Sequence, residues 1–284
     1  MMNIAYSPCP NDTFIFHAWA HGLIKDAPAL HVTYADIDIT NHLAARSEGP
    51  EVMKISFAAL PQVLKNYALL PCGGALGRGC GPLLLTKEKP AEEQISTFNG
   101  TMLTNKKIAV PSELSTAYLL FRLWAASHIP GGAKEIIVMP FHEIMPAVQA
   151  GTIDAGLVIH EARFTYKEYG LHMLVDLGHW WESETGHPIP LGAIIAKRSL
   201  NKEAIAAHIR ASLQYAWDNP EASQQYVMEH AQELSPDVTA SHIKLYVNEF
   251  SMELGEKGYA AITALFSGAI REGLMPEFDL SLLR

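Results

Sequence analysis

Residues 151–166 read GTIDAGLVIHEARFTY, and this stretch decides the class of fold. Gly151 and the four residues after it have turn chemistry and follow a helical pattern. Residues 156–159, Gly-Leu-Val-Ile, are a short apolar run after that turn, which reads as a buried strand. His160 and Glu161 stand where the strand ends, and Arg163 leads into a polar, aromatic loop. In an open α/β sheet, ligands bind beyond the carboxyl ends of the strands. An imidazole at such an end is either a functional group or a histidine that satisfies a local hydrogen bond, and the stretch alone leaves both readings open.

Outward from this strand, the same alternation of strand, loop and helix recurs. Residues 3–7 read as a strand, and SPCPNDTF (7–14) follows it. The two prolines stop pairing and favour a tight loop. Asn11 or Asp12 can cap the next helix, which carries Phe14, Phe16, Trp19 and Leu23. Strand, polar loop and helix start together present backbone N–H groups, either to a ligand or only to the loop itself. His17 and His21 share a face of that helix at i, i+4; with no third ligand apparent, a packed or solvated face outweighs a metal pair.

Residues 31–39 alternate as a second strand, and 52–57, VMKISF, as a third that ends in polar groups. Lys54 can neutralise a carboxylate and Ser56 can donate to one, although a lysine at a strand edge is usually just solvated. The run PCGGALGRGCGP (71–82) holds five glycines. It lacks the Lys-Ser/Thr of a phosphate loop and is no GxGxxG turn, so it reads as a turning segment, with Arg78 available to an anion. Residues 107–110 open another βα unit, and Ser115 and Thr116 fall in the first turn of its helix. Hydroxyls there suit an anion, and they are equally common as local caps. Further strands are expected at 135–139, 171–177 and 188–196, with an aromatic loop at 179–186. Helices are expected at 201–217, 220–233, 236–252 and 256–272.

Composition narrows the function classes. Of 284 residues, 49% are hydrophobic and 18% charged, enough apolar material for a sizeable core. The formal charge of −9 opposes general nucleic-acid binding. No run approaches the roughly 18 apolar residues of a membrane helix, and no signal-peptide pattern opens the sequence. Three cysteines without a CxxC fit reduced thiols in the cytoplasm. The expected architecture is α/β with two lobes. A larger discontinuous lobe takes residues 1–100 and 191–284, a smaller lobe of 101–190 is inserted in it, and a cleft lies between them, as in hinged binding proteins.

Several quoted segments occur in one order: SPCPNDTFIF (7–16), KISFAAL (54–60), GGALGRGCGPLL (73–84), Ser115-Thr116-Ala117-Tyr118, AGLVIHEARFTY (155–166) and VDLGHWWESETGHPIPLGAI (175–194). Together they resemble the 1,4-dihydroxy-6-naphthoate synthase family of the futalosine route to menaquinone, nearly end to end. The resemblance implies a fold like type II periplasmic binding proteins, used in the cytoplasm as an enzyme. It implies conversion of cyclic dehypoxanthinyl futalosine to 1,4-dihydroxy-6-naphthoate with release of dihydroxyacetone. The partner it implies is this small-molecule substrate, with no nucleic acid, membrane, metal or organic cofactor. By position the family's catalytic base falls on His160, and its substrate-binding segments fall on Lys54, Ile55 and Ser56 and on Ser115 and Thr116. Asn11, Thr13 and Arg78 carry less support as lining residues. Glu161 and Arg163 either orient His160 or pair on the surface. The competing functions are a chorismate-dehydrating enzyme of the same fold, a non-catalytic solute-binding protein, and an enzyme with Cys9 as nucleophile.

Overall fold

The computed structural model describes residues 1–231 and 235–284. Among these residues the strands are, in chain order, β1 (Met2–Tyr6), β2 (Leu30–Tyr34), β3 (Val52–Ser56), β4 (Tyr67–Leu69), β5 (Ala75–Gly77), β6 (Leu83–Thr86), β7 (Lys107–Val110), β8 (Glu135–Val138), β9 (Ala155–Val158), β10 (His172–Asp176) and β11 (Ile189–Lys197). They form two sheets, each belonging to one of two units. The first unit is Met1–Gly77, Pro190–Ile262 and Phe278–Arg284; the second is Arg78–Ile189 and Thr263–Glu277.

In the first unit the sheet order is β2-β1-β3-β11-β4, with β5 paired to β11. β3 lies between parallel β1 and antiparallel β11, so all five residues of Val-Met-Lys-Ile-Ser are buried. A strand covered on both faces reads as a continuous apolar run, and the lysine within it demands a special partner. The helix Pro10–Ala20 starts with proline at its first turn, where the missing N–H costs nothing. Phe14, Phe16 and Trp19 from this helix join Ile4 and Tyr6 of β1 and Ile205, Ile209 and Leu213 of the helix Lys202–Asp218 in one core. Each large side chain so buried contributes about 1.5–3 kcal/mol relative to exposure.

In the second unit the order is β10-β6-β9-β7-β8. β9 runs antiparallel to β6 and parallel to β7, so its carboxyl end emerges within the sheet, not at an edge. Two glycines make this possible. Gly151 ends the helix Phe141–Ala150 at φ 77°, a left-handed conformation that favours glycine. At Gly156 a Cβ would stand 2.5 Å from Ile144 Cγ2 and 3.0 Å from Val148 Cγ2, so glycine lets that helix close on the strand. Ile144, Val148, Ile153 and Val158 then share a core with Leu83, Leu85 and Ala109.

The structure divides the chain differently from the expected break at residue 100. Leu83–Thr86 is an inner strand of the second sheet, paired with β9 and β10, so residues 78–100 belong with the second unit. The chain also returns to that unit over Thr263–Glu277, within and beyond the helix Gly255–Arg271. The loop expected at 179–186 is largely a helix, Leu177–Thr185. Asp176 caps it by accepting from the N–H groups of Gly178 and His179 at 2.9 and 3.1 Å, and Trp180 and Trp181 are buried. The helix expected at 220–233 is a 3-10 turn, Pro220–Ser223, followed by Gln224–His230; residues 232–233 lie outside the described part. The expected 236–252 helix breaks after Tyr246 and resumes as Glu249–Met252. Among the described residues no helix is long and apolar enough to cross a membrane.

Candidate active site

The expected site residues divide between the two units. In the first unit, the turn after β1 carries Ser7 and the first turn of the next helix carries Asp12. Asp12 accepts from Ser7 Oγ at 2.7 Å, from Asn11 Nδ2 at 2.9 Å and, in a short contact, from Lys54 Nζ. Lys54 is 3% exposed and Asp12 1%. An unpaired ammonium at this depth would cost several kcal/mol, so the carboxylate is what permits a lysine in β3. Gly192 gives it room: β11 pairs Gly192 with Ser56, and a Cβ there would meet Lys54 Cε at 2.7 Å.

Ser56 is held by Asn41 on the helix Ile37–Ala45. The Ser56 N–H donates to Asn41 Oδ1 at 2.7 Å, and Asn41 Nδ2 donates to Ser56 Oγ at 3.0 Å. Because Ser56 Oγ accepts in that bond, its own O–H is directed elsewhere. The Ile55 side chain is fully buried in the core, so any contact with a ligand falls to its backbone. Asn11 Oδ1 accepts from His242 Nε2 at 3.0 Å. The Thr13 hydroxyl donates back to the Cys9 carbonyl at 3.1 Å and is consumed by its own helix.

His17 is buried and His21 is exposed. Their rings lie 4.6 Å apart, and His21 Nδ1 donates to the His17 carbonyl at 2.8 Å. Burial first, then the neighbouring His21, lowers the pKa of His17. Tyr226 lies against both rings, and its hydroxyl joins those of Tyr6 and Tyr34 at 2.7 Å each.

In the second unit, Ser115 caps the helix Thr116–His128. Its Oγ accepts from the Tyr118 N–H at 3.1 Å and donates to the Ser112 carbonyl at 2.9 Å. The hydroxyl is thus committed locally, and what the helix start offers an anion is its positive dipole end. Ser115 and Thr116 are both buried.

His160 follows β9 with φ 52°, the left-handed region that a non-glycine residue enters at a cost. Its ring is half-buried and meets the Phe141 ring edge-to-face at 5.4 Å. Backbone strain of this kind clusters at functional sites because the surrounding structure must enforce it. Glu161 is 6% exposed, and neither carboxylate oxygen has a hydrogen-bond partner among the described residues. An imidazole nitrogen of His160 and a carboxylate oxygen of Glu161 lie within 4.8 Å of each other.

Two arginines flagged in the sequence are engaged elsewhere. Arg163 pairs closely with Asp176 and donates to the carbonyls of Gly81 at 2.9 Å and Gly79 at 3.2 Å. It clamps the glycine-rich segment to the start of the helix Leu177–Thr185. Arg78, expected to be available to an anion, instead meets Glu182 at 3.1 Å and donates to the Gly186 carbonyl at 2.8 Å. Of the three thiols, burial pushes those of Cys72 and Cys80 up to about 12, away from the reactive thiolate form.

Asp12 and Asn41 are the supporting residues that sequence reasoning missed. A signal for the first did exist: a lysine inside VMKIS, in a strand too apolar to be an edge, requires a buried counter-ion. Asn41 left no such trace, because an asparagine in a helix carries no sign of its distant partner.

A family model described as menaquinone biosynthesis matches residues 2–270. The chain is 63% identical over 278 residues to a 1,4-dihydroxy-6-naphthoate synthase of Streptomyces coelicolor, covering 97% of this chain and 95% of that one. It is 41% identical over 276 residues to the enzyme of the same name from Thermus thermophilus, covering 96% and 95%. A crystal structure of an Archaeoglobus fulgidus protein superposes with a TM-score of 0.86 at 31% identity, over 96% of this chain and 98% of that one. The periplasmic aliphatic sulphonate binding protein of Escherichia coli superposes at 0.68 over 99% and 90%; at 13% identity it is a likeness of fold alone. The expected α/β, periplasmic-binding-protein-like fold is thereby met, and by sequence the chain belongs to the menaquinone biosynthesis family.

Proposed function

We propose that this chain is a 1,4-dihydroxy-6-naphthoate synthase, a carbon–carbon lyase of menaquinone biosynthesis. Its substrate on this reading is cyclic dehypoxanthinyl futalosine, and the sugar-derived fragment leaves as dihydroxyacetone. The observation that carries the reading is 63% identity to a synthase of that name over 97% of the chain. The reaction removes a carbon-bound proton, releases the three-carbon fragment and makes the naphthalene ring aromatic. Aromatisation supplies the driving force, so the protein has to supply a base, an orienting site and exclusion of water.

His160 is the general base in this proposal. Imidazole can take and return a proton near neutral pH, and a positioned base contributes about 10²–10⁴-fold. Lys54, Ile55 and Ser56 bind substrate. The bond to Asp12 uses one of the three N–H donors of the Lys54 ammonium, and the Ser56 O–H is directed away from Asn41. Ser115 and Thr116 bind through the dipole of their helix start, since the Ser115 hydroxyl is committed to its cap. The enzyme acts in the cytoplasm on this reading.

The test is incubation of the full chain with cyclic dehypoxanthinyl futalosine, following the naphthoate chromophore and dihydroxyacetone together. Both products are expected in equal amounts, and chorismate is expected to be returned with no loss of water. Recovery of intact futalosine derivative, or dehydration of chorismate, overturns the assignment.

A further inference from the structure

Glu161 is the buried acid that the family assignment does not use. It is 6% exposed, and both its oxygens are without a hydrogen-bond partner among the described residues. Among the described residues the other buried carboxylate, Asp12, shows what this chain does when an acid is structural: it supplies Ser7, Asn11 and Lys54 as donors. The nearby cation on the chain, Arg163, is bound to Asp176 and to the carbonyls of Gly79 and Gly81. A buried acid left without donors is a standing cost, and proteins keep such costs where a ligand removes them.

The missing partner has a definable chemistry. A carboxylate only accepts hydrogen bonds, so its complement must donate. A second carboxylate, such as that of the naphthoate ring, would be repelled. Glu161 directly follows His160, and their polar atoms approach within 4.8 Å. Whatever donates to Glu161 therefore lies beside the group proposed to take the proton. In the proposed substrate the donors near that centre are the hydroxyls of the sugar-derived, three-carbon portion.

We infer that Glu161 is a substrate-contacting residue that accepts hydrogen bonds from the hydroxyl groups of the departing three-carbon fragment. The inference rests on the synthase reading above. It gives the HE pair divided labour: His160 moves the proton, and Glu161 holds the fragment that leaves. It also separates the ends of the substrate, because the ring carboxylate then belongs to other residues.

The test compares wild type with Glu161→Gln, both as full chains. Three quantities are measured: kcat/KM for cyclic dehypoxanthinyl futalosine, the dissociation constant of 1,4-dihydroxy-6-naphthoate, and Tm without ligand. The naphthoate lacks the fragment, so its binding isolates the ring end. The expected result is a loss of at least about 100-fold in kcat/KM, as for a site built around substrate hydroxyls. Naphthoate binding should stay within about threefold, and Tm should be unchanged or higher, since neither oxygen has a hydrogen bond among the described residues to lose. Glu161→Asp, which keeps the acceptors at shorter reach, should recover part of the lost activity.

A fall of several degrees in Tm identifies a structural role and overturns the inference. So does weakened naphthoate binding, which puts Glu161 at the ring end. A change confined to the pH profile of kcat makes it a positioning residue for His160 and equally overturns it. Wild-type turnover keeps this outcome apart from the parent reading: if wild type makes no naphthoate, the synthase assignment fails, and if wild type and Glu161→Gln turn over alike, only the role of Glu161 fails.

Discussion

The Asp12–Lys54 pair and the His160–Glu161 pair are both polar, both within or close to the core, and built on opposite principles. Asp12 and Lys54 are 1% and 3% exposed and satisfied by protein: each charge has its counter-charge, and Ser7 and Asn11 complete the carboxylate. His160 is strained at φ 52°, and its neighbour Glu161 has no donor for either oxygen among the described residues. In the first arrangement the carboxylate of Asp12 is satisfied by the fold itself. The second holds capacity in reserve at a cost in stability. A polar group resolved inside the protein argues for architecture, and a polar group left unresolved argues for a ligand.

The sharpest way to break this contrast is to remove one charge of the satisfied pair. Lys54→Ala leaves Asp12 buried without its counter-ion and should destabilise the protein by about 3–5 kcal/mol, read as a lower midpoint in chemical denaturation. Replacing both partners with neutral residues of similar volume should recover much of that loss. A single variant as stable as wild type would show that the pair is not structural. A smaller effect is expected at Asn41, which braces Ser56 through two hydrogen bonds. Asn41→Ala should cost about 1–3 kcal/mol, since it leaves the Ser56 N–H buried without its acceptor. The same measurement checks it, and a change below the error of the midpoint would remove Asn41 from its bracing role.

Much of the fold was legible in the sequence because its signals are local. The strand before His160, the turn at Gly151, the proline-rich loop after β1 and the helices Lys202–Asp218 and Gly255–Arg271 all follow from periodicity and turn chemistry. What failed depended on partners far away in the chain. The pairing of Leu83–Thr86 with β9 and β10 could not be seen, so the break was expected near residue 100 and falls after Gly77. The helix Leu177–Thr185 was hidden because its aromatic and polar residues suggested a loop, while its cap comes from Asp176 and its two tryptophans are buried.

The candidate site was legible in position and less so in state. His160 could be placed at a strand end from residues 151–166 alone, and the ordered motifs gave Lys54, Ser56, Ser115 and Thr116. That Lys54 is paired with Asp12, 42 residues away, was not visible. Nor was the commitment of Arg78 to Glu182 and of Arg163 to Asp176, because ion-pair partners leave no periodic trace in a sequence. The burial of Glu161 is a property of three-dimensional packing, and it changes that residue from a neighbour of His160 into a group with a chemistry of its own.

The central claim is that His160 takes the proton, and His160→Asn tests it most directly. Asparagine tolerates the left-handed backbone and keeps a polar side chain, yet it cannot act as a base at neutral pH. Single-turnover formation of the naphthoate chromophore should fall by about 10²–10⁴-fold, with the denaturation midpoint unchanged. Turnover within a few-fold of wild type in a folded variant would contradict the account.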